Sequence, residues 1–436
     1  MKIMKFGGTS VGSPDRIKDV ARLLCEANEP LLVVLSAMSG TTNALVEISK
    51  HYYEGETAQA HSIIDGLEEK YLAHMTELFH TAEYQEKLSR FAQERFEFIK
   101  SFGNGYFASY EEKQILAQGE ILSTTMMANY LLENHVNAQL LDALEFVFTD
   151  KNQEPDMPMI TNRLASVMER HKGAQIYITQ GYICRNAFGE TDNLRRGGSD
   201  YTASLLGAAL PADEIQIWTD IDGIHNNDPR CVEKTSAIRK ISFSEAAELA
   251  YFGAKILHPT CVLPAKKANI PIRLKYTMDP KAEGTLIVGD IERGKIQAVA
   301  AKDNMTVLNI RSKRNVAPNL FLKKTLEIFE CYDITIDMMS TSEVSLAICF
   351  ESNTHLQDLE RALEQYGQTT VENNMSVVCV VGDFSCENGK YHSVLSAVKG
   401  HTIKMISYGG SPFNISMAVK TNEKIAILQL LSQHLF

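Results

Sequence analysis

Along the first two-thirds of the chain, short runs of consecutive apolar residues alternate with segments of helical length. Nothing else in the sequence limits the fold so strongly. PLLVVLS (30–36), AQIYITQGYI (174–183) and EIQIWTD (214–220) are rich in Val, Ile and Leu and lack polar alternation. That is the signature of strands covered on both faces. EEKQILAQGEILSTTMMANYLL (111–132) and DYTASLLGAAL (200–210) read as helices. Buried strands joined by helical crossovers make a mostly parallel central sheet between helices, an α/β fold. A charged, proline-free run at about 51–113 reads as an inserted helical hairpin.

After GTLIVGD (284–290) the texture changes. Two segments repeat one order of elements, their first strands starting at Met305 and Met375. The first runs MTVLNI, FLKKTLEIFE, ITIDMMS, VSLAICF and LQDLERALEQY; the second runs MSVVCVV, YHSVLSAV, TIKMIS, NISMAV and KIAILQLLSQHL. Each is strand, helix, strand, strand, helix, an α+β module expected to pack sheet against sheet. At 436 residues the chain exceeds one core. The expected division is 1–290, 300–372 and 373–436, the last module borrowing a strand from about 294–310.

Apolar residues make up 44% and charged residues 22%, enough for a core. The net charge of −11 argues against a nucleic-acid partner. An anionic small ligand would need positive charge concentrated locally. The eight cysteines, Cys25, Cys184, Cys231, Cys261, Cys331, Cys349, Cys379 and Cys386, show no metal-ligand spacing. They read as buried thiols in a reducing cytosol. No run approaches the roughly 20 apolar residues of a membrane span. Gly7 precedes any apolar run, so no signal peptide is expected and the compartment is the cytoplasm.

Six stretches carry chemistry. Lys5, Gly7 and Gly8 follow the first strand, where α/β folds bind ligands. Glycines let main-chain N–H groups approach an anion. Ser13-Pro14 reads as a helix start, whose N-terminus favours phosphate. The lysine precedes the glycines, so this is no Walker loop, and taken alone a Gly-Gly turn after a strand is more often only a turn. LSAMSGTTN (35–43) offers hydroxyls to a polar ligand or is a solvated turn. Glu120 lies among apolar residues and needs a partner if it is buried. In LRRGGSDYTA (194–203), Arg196 can grip a carboxylate by two parallel bonds. Ser199 or Asp200 can instead cap the next helix. WTDIDGIHNNDPR (218–230) can accept a nucleotide. Ser242 and Glu245 form a capping box, with Lys255 and a structural His258 further on.

Taken in order, KFGGTS, RGGSDYTA, WTDIDGI, DPR and FGAKILHP resemble the signatures of aspartate kinases in the amino acid kinase family. The resemblance covers nearly the whole chain, since the C-terminal repeats look like that family's two ACT regulatory modules. It implies an amino acid kinase fold followed by two ferredoxin-like ACT modules. The implied reaction is transfer of the ATP γ-phosphoryl group to L-aspartate, giving 4-phospho-L-aspartate for lysine, threonine and methionine synthesis. A single-function chain is expected, ending at Phe436 without a fused homoserine dehydrogenase. By resemblance, Lys5, Gly7 and Gly8 hold phosphates. Thr42, Glu120 and Arg196 hold aspartate, with Arg196 on a carboxylate and Glu120 on the ammonium. Gly197, Gly198 and Ser199 complete that pocket. Asp200 acts with Lys5 and Lys255 in catalysis. Thr219, Asp220, His225, Arg230, Lys255 and Ile256 line the nucleotide. Mg²⁺ arrives mainly on ATP, with no separate protein metal site.

Two departures stand out. Asp192-Asn193-Leu194-Arg195 replaces the family's Thr-Thr-Leu-Gly, and His225 stands where tyrosine is frequent. In lysine-inhibited relatives the first ACT module binds lysine near stretches matching Phe321, Leu322, Ile336, Asp337, Ser342 and Glu343. The preceding methionine and serine positions appear here as Asn315 and Pro318. Lysine or threonine is thus a possible effector, and a homodimer through the ACT modules is expected. A glutamate or acetylglutamate kinase, or a sensor that lost phosphoryl transfer, are the alternatives.

Overall fold

In the computed structural model the chain is described except for residues 195–196, 254–256, 290, 314–316, 353 and 386–389. It forms two compact units, Met1–Gly223 with Leu257–Gly289, and Ile224–Ile256 with Asp290–Phe436.

The first unit begins β1 (Lys2–Phe6), α1 (Pro14–Cys25), β2 (Leu31–Leu35), α2 (Thr41–Tyr53), α3 (Thr57–Leu78), α4 (Ala82–Ser101) and α5 (Ser109–Glu133). It continues β3 (Ala138–Leu141), α6 (Met157–Arg170), β4 (Ile176–Gln180), β5 (Ile183–Arg185), β6 (Thr191–Asn193), α7 (Gly198–Ala209) and β7 (Glu214–Thr219). β8 (Lys240–Ser242) and α8 (Phe243–Tyr251) belong to the second unit; α9 (Pro259–Ala268), β9 (Ile272–Tyr276) and β10 (Thr285–Val288) return to the first.

Seven of its strands lie in the order β3-β4-β2-β1-β7-β9-β10. The pairs from β3 to β9 are parallel, and β10 runs antiparallel to β9. Every residue of β2 is buried, as its unbroken apolar run requires. The chain leaves β1 towards β2 on one side and meets β7 on the other. Loops at the carboxyl ends of β1, β2, β4 and β7 therefore converge on a switch point, where such folds bind ligands. Ser13 caps α1, its hydroxyl accepting from the Arg16 N–H at 3.4 Å, with Pro14 in the first turn. The expected insert folds as α3 and α4. The α3 stripe of Ala60, Ile64, Leu67, Tyr71, Met75 and Leu78 recurs every three or four residues. It joins the same core as Met4, Val33 and Ile178, so the insert is part of the unit's core. Burying each large side chain contributes about 1.5–3 kcal/mol.

The second unit adds β11 (Ile296–Ser312), α10 (Pro318–Cys331), β12 (Ile336–Thr341), β13 (Ser345–Glu351) and α11 (Leu356–Glu364). The second repeat is β14 (Gly367–Gly382), α12 (Lys390–Ala397), β15 (Ile403–Tyr408), β16 (Asn414–Lys420) and α13 (Lys424–Leu435). Both repeats have the expected order of elements. They do not stack sheet against sheet within the chain; they share one six-stranded antiparallel sheet, β12-β13-β11-β14-β16-β15. β11 and β14 are the cause. They are 17 and 16 residues long and pair from Ile296 with Gly382 to Ser312 with Gly367, fusing the modules edge to edge. Each repeat keeps its own core, one around Phe329, Ile348 and Phe350, the other around Val378, Val394 and Leu428.

The expectation of uniformly buried thiols is corrected. Cys25 and Cys331 are exposed and Cys231 is intermediate, whereas Cys184, Cys261, Cys349 and Cys379 are buried. Cys25 ends α1, rotated off the stripe that buries Ile17, Val20, Ala21 and Leu24. Cys386 lies outside the described residues.

Candidate active site

The Lys5 side chain, 11% exposed at the end of β1, places its Nζ 2.7 Å from Oδ1 of Asp200. The next residues turn tightly: the Gly7 carbonyl accepts from the Ser10 N–H at 2.9 Å, and the Gly8 carbonyl from the Ser39 N–H at 3.1 Å. A Cβ on Gly8 would come within 2.6 Å of the Ala37 carbonyl oxygen. The glycine is thus required by the close approach of the loops after β1 and β2. The Ser10 and Thr277 hydroxyls, 2.8 Å apart, tie this turn to the segment after β9.

Asp200 does not cap α7, and neither does Ser199. The helix starts at Gly198 with Gly197 at its cap, φ +76°, so both side chains belong to the first turn. This frees Asp200 for Lys5. Ser199 lies against the end of β4, where a Cβ on Gly181 would come within 2.5 Å of its side chain.

Glu120 faces inward. Residues Ile115 to Glu120 are all buried, so α5 has no solvent face there. Its Oε1 accepts from the Ala37 N–H at 3.1 Å. Its Oε2 is buried with no hydrogen-bond partner among the described residues. Burial pushes the Glu120 pKa up to about 7, against the Ala37 bond and the positive charge of Lys5. Neighbouring hydroxyls register α5 on the strand ends: Ser123 donates to the Ser36 carbonyl at 2.8 Å, and Thr124 accepts from the Gln180 amide at 3.0 Å.

Of the two threonines opening α2, Thr41 is buried and bonded to the Tyr71 hydroxyl at 2.9 Å, whereas Thr42 is exposed. Thr219 ends β7, its hydroxyl donating to the Asp220 carboxylate at 3.1 Å. His225 and Arg230 belong to the second unit. There His225 Nδ1 lies 2.8 Å from the Thr235 hydroxyl, and the exposed Arg230 guanidinium donates three hydrogen bonds to the Asp228 carboxylate. Arg196, Lys255 and Ile256 lie outside the described residues. His258 caps α9 by accepting from the Thr260 N–H.

The amino acid kinase family model matches residues 1–276. The lysine-sensitive aspartokinase 3 of Escherichia coli is 32% identical over all of this chain and 99% of its own length. The chloroplastic aspartokinase 1 of Arabidopsis thaliana is 32% identical over 100% of this chain and 80% of that protein. The crystal structure of E. coli aspartokinase III with aspartate and ADP, an R-state, superposes with a TM-score of 0.85 at 31% identity, covering 100% of both chains. The chain belongs to the aspartokinase family. It is an aspartate kinase, with an amino acid kinase fold followed by regulatory ACT modules. The T-state crystal structure of E. coli aspartokinase III, with lysine and aspartate, gives a TM-score of 0.83 at 32% identity, again over 100% of both chains.

Three features around this candidate site escape a reading of the sequence. The Ala37 N–H is a backbone group and leaves no trace in residue types. Tyr182, at φ +66°, is a bulky residue in the left-handed region, a conformation such residues rarely adopt. Lys113 pairs with Asp192 at 2.8 Å, so the acidic departure before the Arg-Gly-Gly-Ser-Asp turn carries its own counter-charge. The sequence flagged Asp192 but gave no hint of its partner.

The residues matched to a lysine site are spread over the first repeat. Phe321 lies in its core. Asp337 is ion-paired with Lys302 at 2.7 Å, and Leu322 and Ile336 are partly buried. Ser342 and Glu343 occupy the exposed turn between β12 and β13, where the Ser342 hydroxyl is 2.6 Å from that of Ser345.

Proposed function

We propose the following division of labour for ATP-dependent phosphorylation of the aspartate side chain to 4-phospho-L-aspartate. Lys5 and the amides around Gly7 and Gly8 hold the transferring phosphates. Asp200 keeps the Lys5 ammonium aimed into the site. Glu120 binds the α-ammonium through its unpaired Oε2. Arg196 grips a carboxylate, and Thr42, Gly197, Gly198 and Ser199 close that pocket. Thr219, Asp220, His225, Arg230, Lys255 and Ile256 read the nucleotide, with Lys255 as a second phosphate cation. The assignments for Arg196, Lys255, Ile256, His225 and Arg230 rest on motif alone.

The acceptor carboxylate is already ionised, so no general base is needed. The obstacle is bringing one anion onto another, which alignment and positive charge overcome. Mg²⁺, carried on ATP, supplies further positive charge at the phosphates. A cation held mainly by phosphate and water needs only one or two protein carboxylates, and Asp200 suits that part. The carrying observation is the Lys5–Asp200 pair at 2.7 Å beside a glycine with no room for a side chain.

Residues 1–290 are read as catalytic and 300–372 and 373–436 as the two regulatory modules, with 294–310 lending a strand to the second. Lysine feedback acts through the first module, where a ligand ammonium at Asp337 competes with Lys302. Dimerisation runs through the edge strands, where Met339, Ile406 and Tyr408 are 42%, 46% and 50% exposed. No helix among the described residues is long and apolar enough to cross a membrane; a cytoplasmic enzyme is proposed. ADP release measured with aspartate, glutamate and acetylglutamate tests the reading. Turnover with aspartate alone is expected; preference for either other acceptor, or none, would sink it.

A further inference from the structure

Asn193, the last residue of β6, has both polar side-chain atoms, Oδ1 and Nδ2, buried with no hydrogen-bond partner among the described residues. A primary amide offers two donors and two acceptor lone pairs. Leaving them unmet in the interior is costly, and such a group asks for an explanation.

The surroundings give one. Asn193 pairs with Ile183 in the β5–β6 register. Beside that pair, the Tyr182 carbonyl accepts from the Leu194 N–H at 2.6 Å. Tyr182 stands against the start of α7, where a Cβ on Gly198 would come within 2.4 Å of its ring. It is also close enough to Glu120 for that negative charge to help raise its phenol pKa, after burial. α5, which carries Glu120, packs along β6. The backbone at 193 is held by the Asp192 carboxylate, which accepts the Asn193 N–H at 2.7 Å and is itself paired with Lys113. The main chain is fixed, and the amide side chain is unused. The Glu120 Oε2 is unspent in the same way.

We infer that Asn193 is a specificity-determining residue that reads the amino-acid acceptor. Its Oδ1 accepts from the α-ammonium beside Glu120, and its Nδ2 donates to a carboxylate oxygen of the same molecule. A zwitterion presents a donor and an acceptor side by side, which an amide matches and a single hydroxyl does not. This rests on the acceptor pocket proposed above.

The test compares wild type with Asn193→Ala and Asn193→Thr in two readouts: thermal unfolding of the ligand-free enzyme, and steady-state kinetics with aspartate or ATP varied. Removing an unpaired buried amide relieves a penalty, so Asn193→Ala is expected to unfold at the same or a higher temperature. Its KM for aspartate should rise about 10-fold, as for losing a hydrogen bond to a charged group, while its KM for ATP stays put. Asn193→Thr should recover part of the loss. An alanine variant that unfolds earlier with unchanged aspartate KM overturns the inference. So does one whose two KM values rise equally. If wild type releases ADP with no amino-acid acceptor, the proposed function itself fails and takes this role with it. Normal wild-type turnover with an indifferent alanine variant removes the role alone.

Discussion

Lys5 and Asp200 neutralise each other in a pair whose side chains are 11% and 16% exposed, which keeps a cation at the strand end without leaving a buried charge unpaired. Lys5→Ala should lower kcat by roughly 10²–10³, as for removing one preorganised donor to a transition state; an unchanged kcat would remove Lys5 from the mechanism. Glu120 is a titrating member of the proposed site. Its folded pKa of about 7 lies above the ordinary 4.5. This group therefore favours the free folded protein at low pH, and that contribution is lost as pH rises from 4.5 through 7. In the role proposed for Glu120, aspartate binding has the opposite sign, since an ammonium held there needs the ionised carboxylate. The KM for aspartate should fall as pH rises through about 7, and Glu120→Gln should flatten that dependence while raising KM throughout. A wild-type KM that is flat between pH 6 and 8 would contradict this.

At the scale of elements, the strand-end loops explain which glycines matter. A Cβ on Gly7 would meet its nearest atom, the Lys5 Nζ, at 3.6 Å, whereas one on Gly8 would collide with the Ala37 carbonyl at 2.6 Å. Gly8→Ala should cost about 1–3 kcal/mol of stability and most of the activity, because it pushes apart the loops that hold Lys5 and the Ala37 N–H. Gly7→Ala should leave the unfolding temperature nearly unchanged. Thermal unfolding and initial rates of the two variants check both statements; equal effects would mean the loops are not in contact. Much at this scale is legible from sequence. Ser13 and the Ser242–Glu245 capping box mark helix starts because a cap is a contact between residues three apart. The start of α7 was not legible: whether Asp200 caps a helix or meets Lys5 depends on where β1 ends in space.

For the whole molecule, regulation and assembly are the quantities to measure. Lysine, titrated into the assay, is expected to raise the apparent KM for aspartate roughly 5- to 150-fold, the range of a typical allosteric coupling. Threonine alone serves as the comparison, and indifference to both would dispose of the proposed feedback. Light scattering of the full chain should report a dimer. Residues 224–256 behave unlike the rest of the family-matched region, for they fold with the second unit. Val232 joins the core of the second repeat, and the Asn227 amide donates to the Leu428 carbonyl at 3.3 Å.

Periodicity and capping act over a few residues, so the sequence alone determined the strands, the helices, the repeated modules and the order of motifs that marks the family. Tertiary structure decided everything that joins distant residues. It buried Glu120 against the Ala37 N–H, 83 positions away in the chain. It turned Thr41 rather than Thr42 inward onto Tyr71. It fused two modules through β11 and β14, and it left the Asn193 amide without a hydrogen-bond partner among the described residues. The reason is physical: a side chain's burial and its free hydrogen bonds depend on what the closed chain brings beside it, which no local pattern encodes.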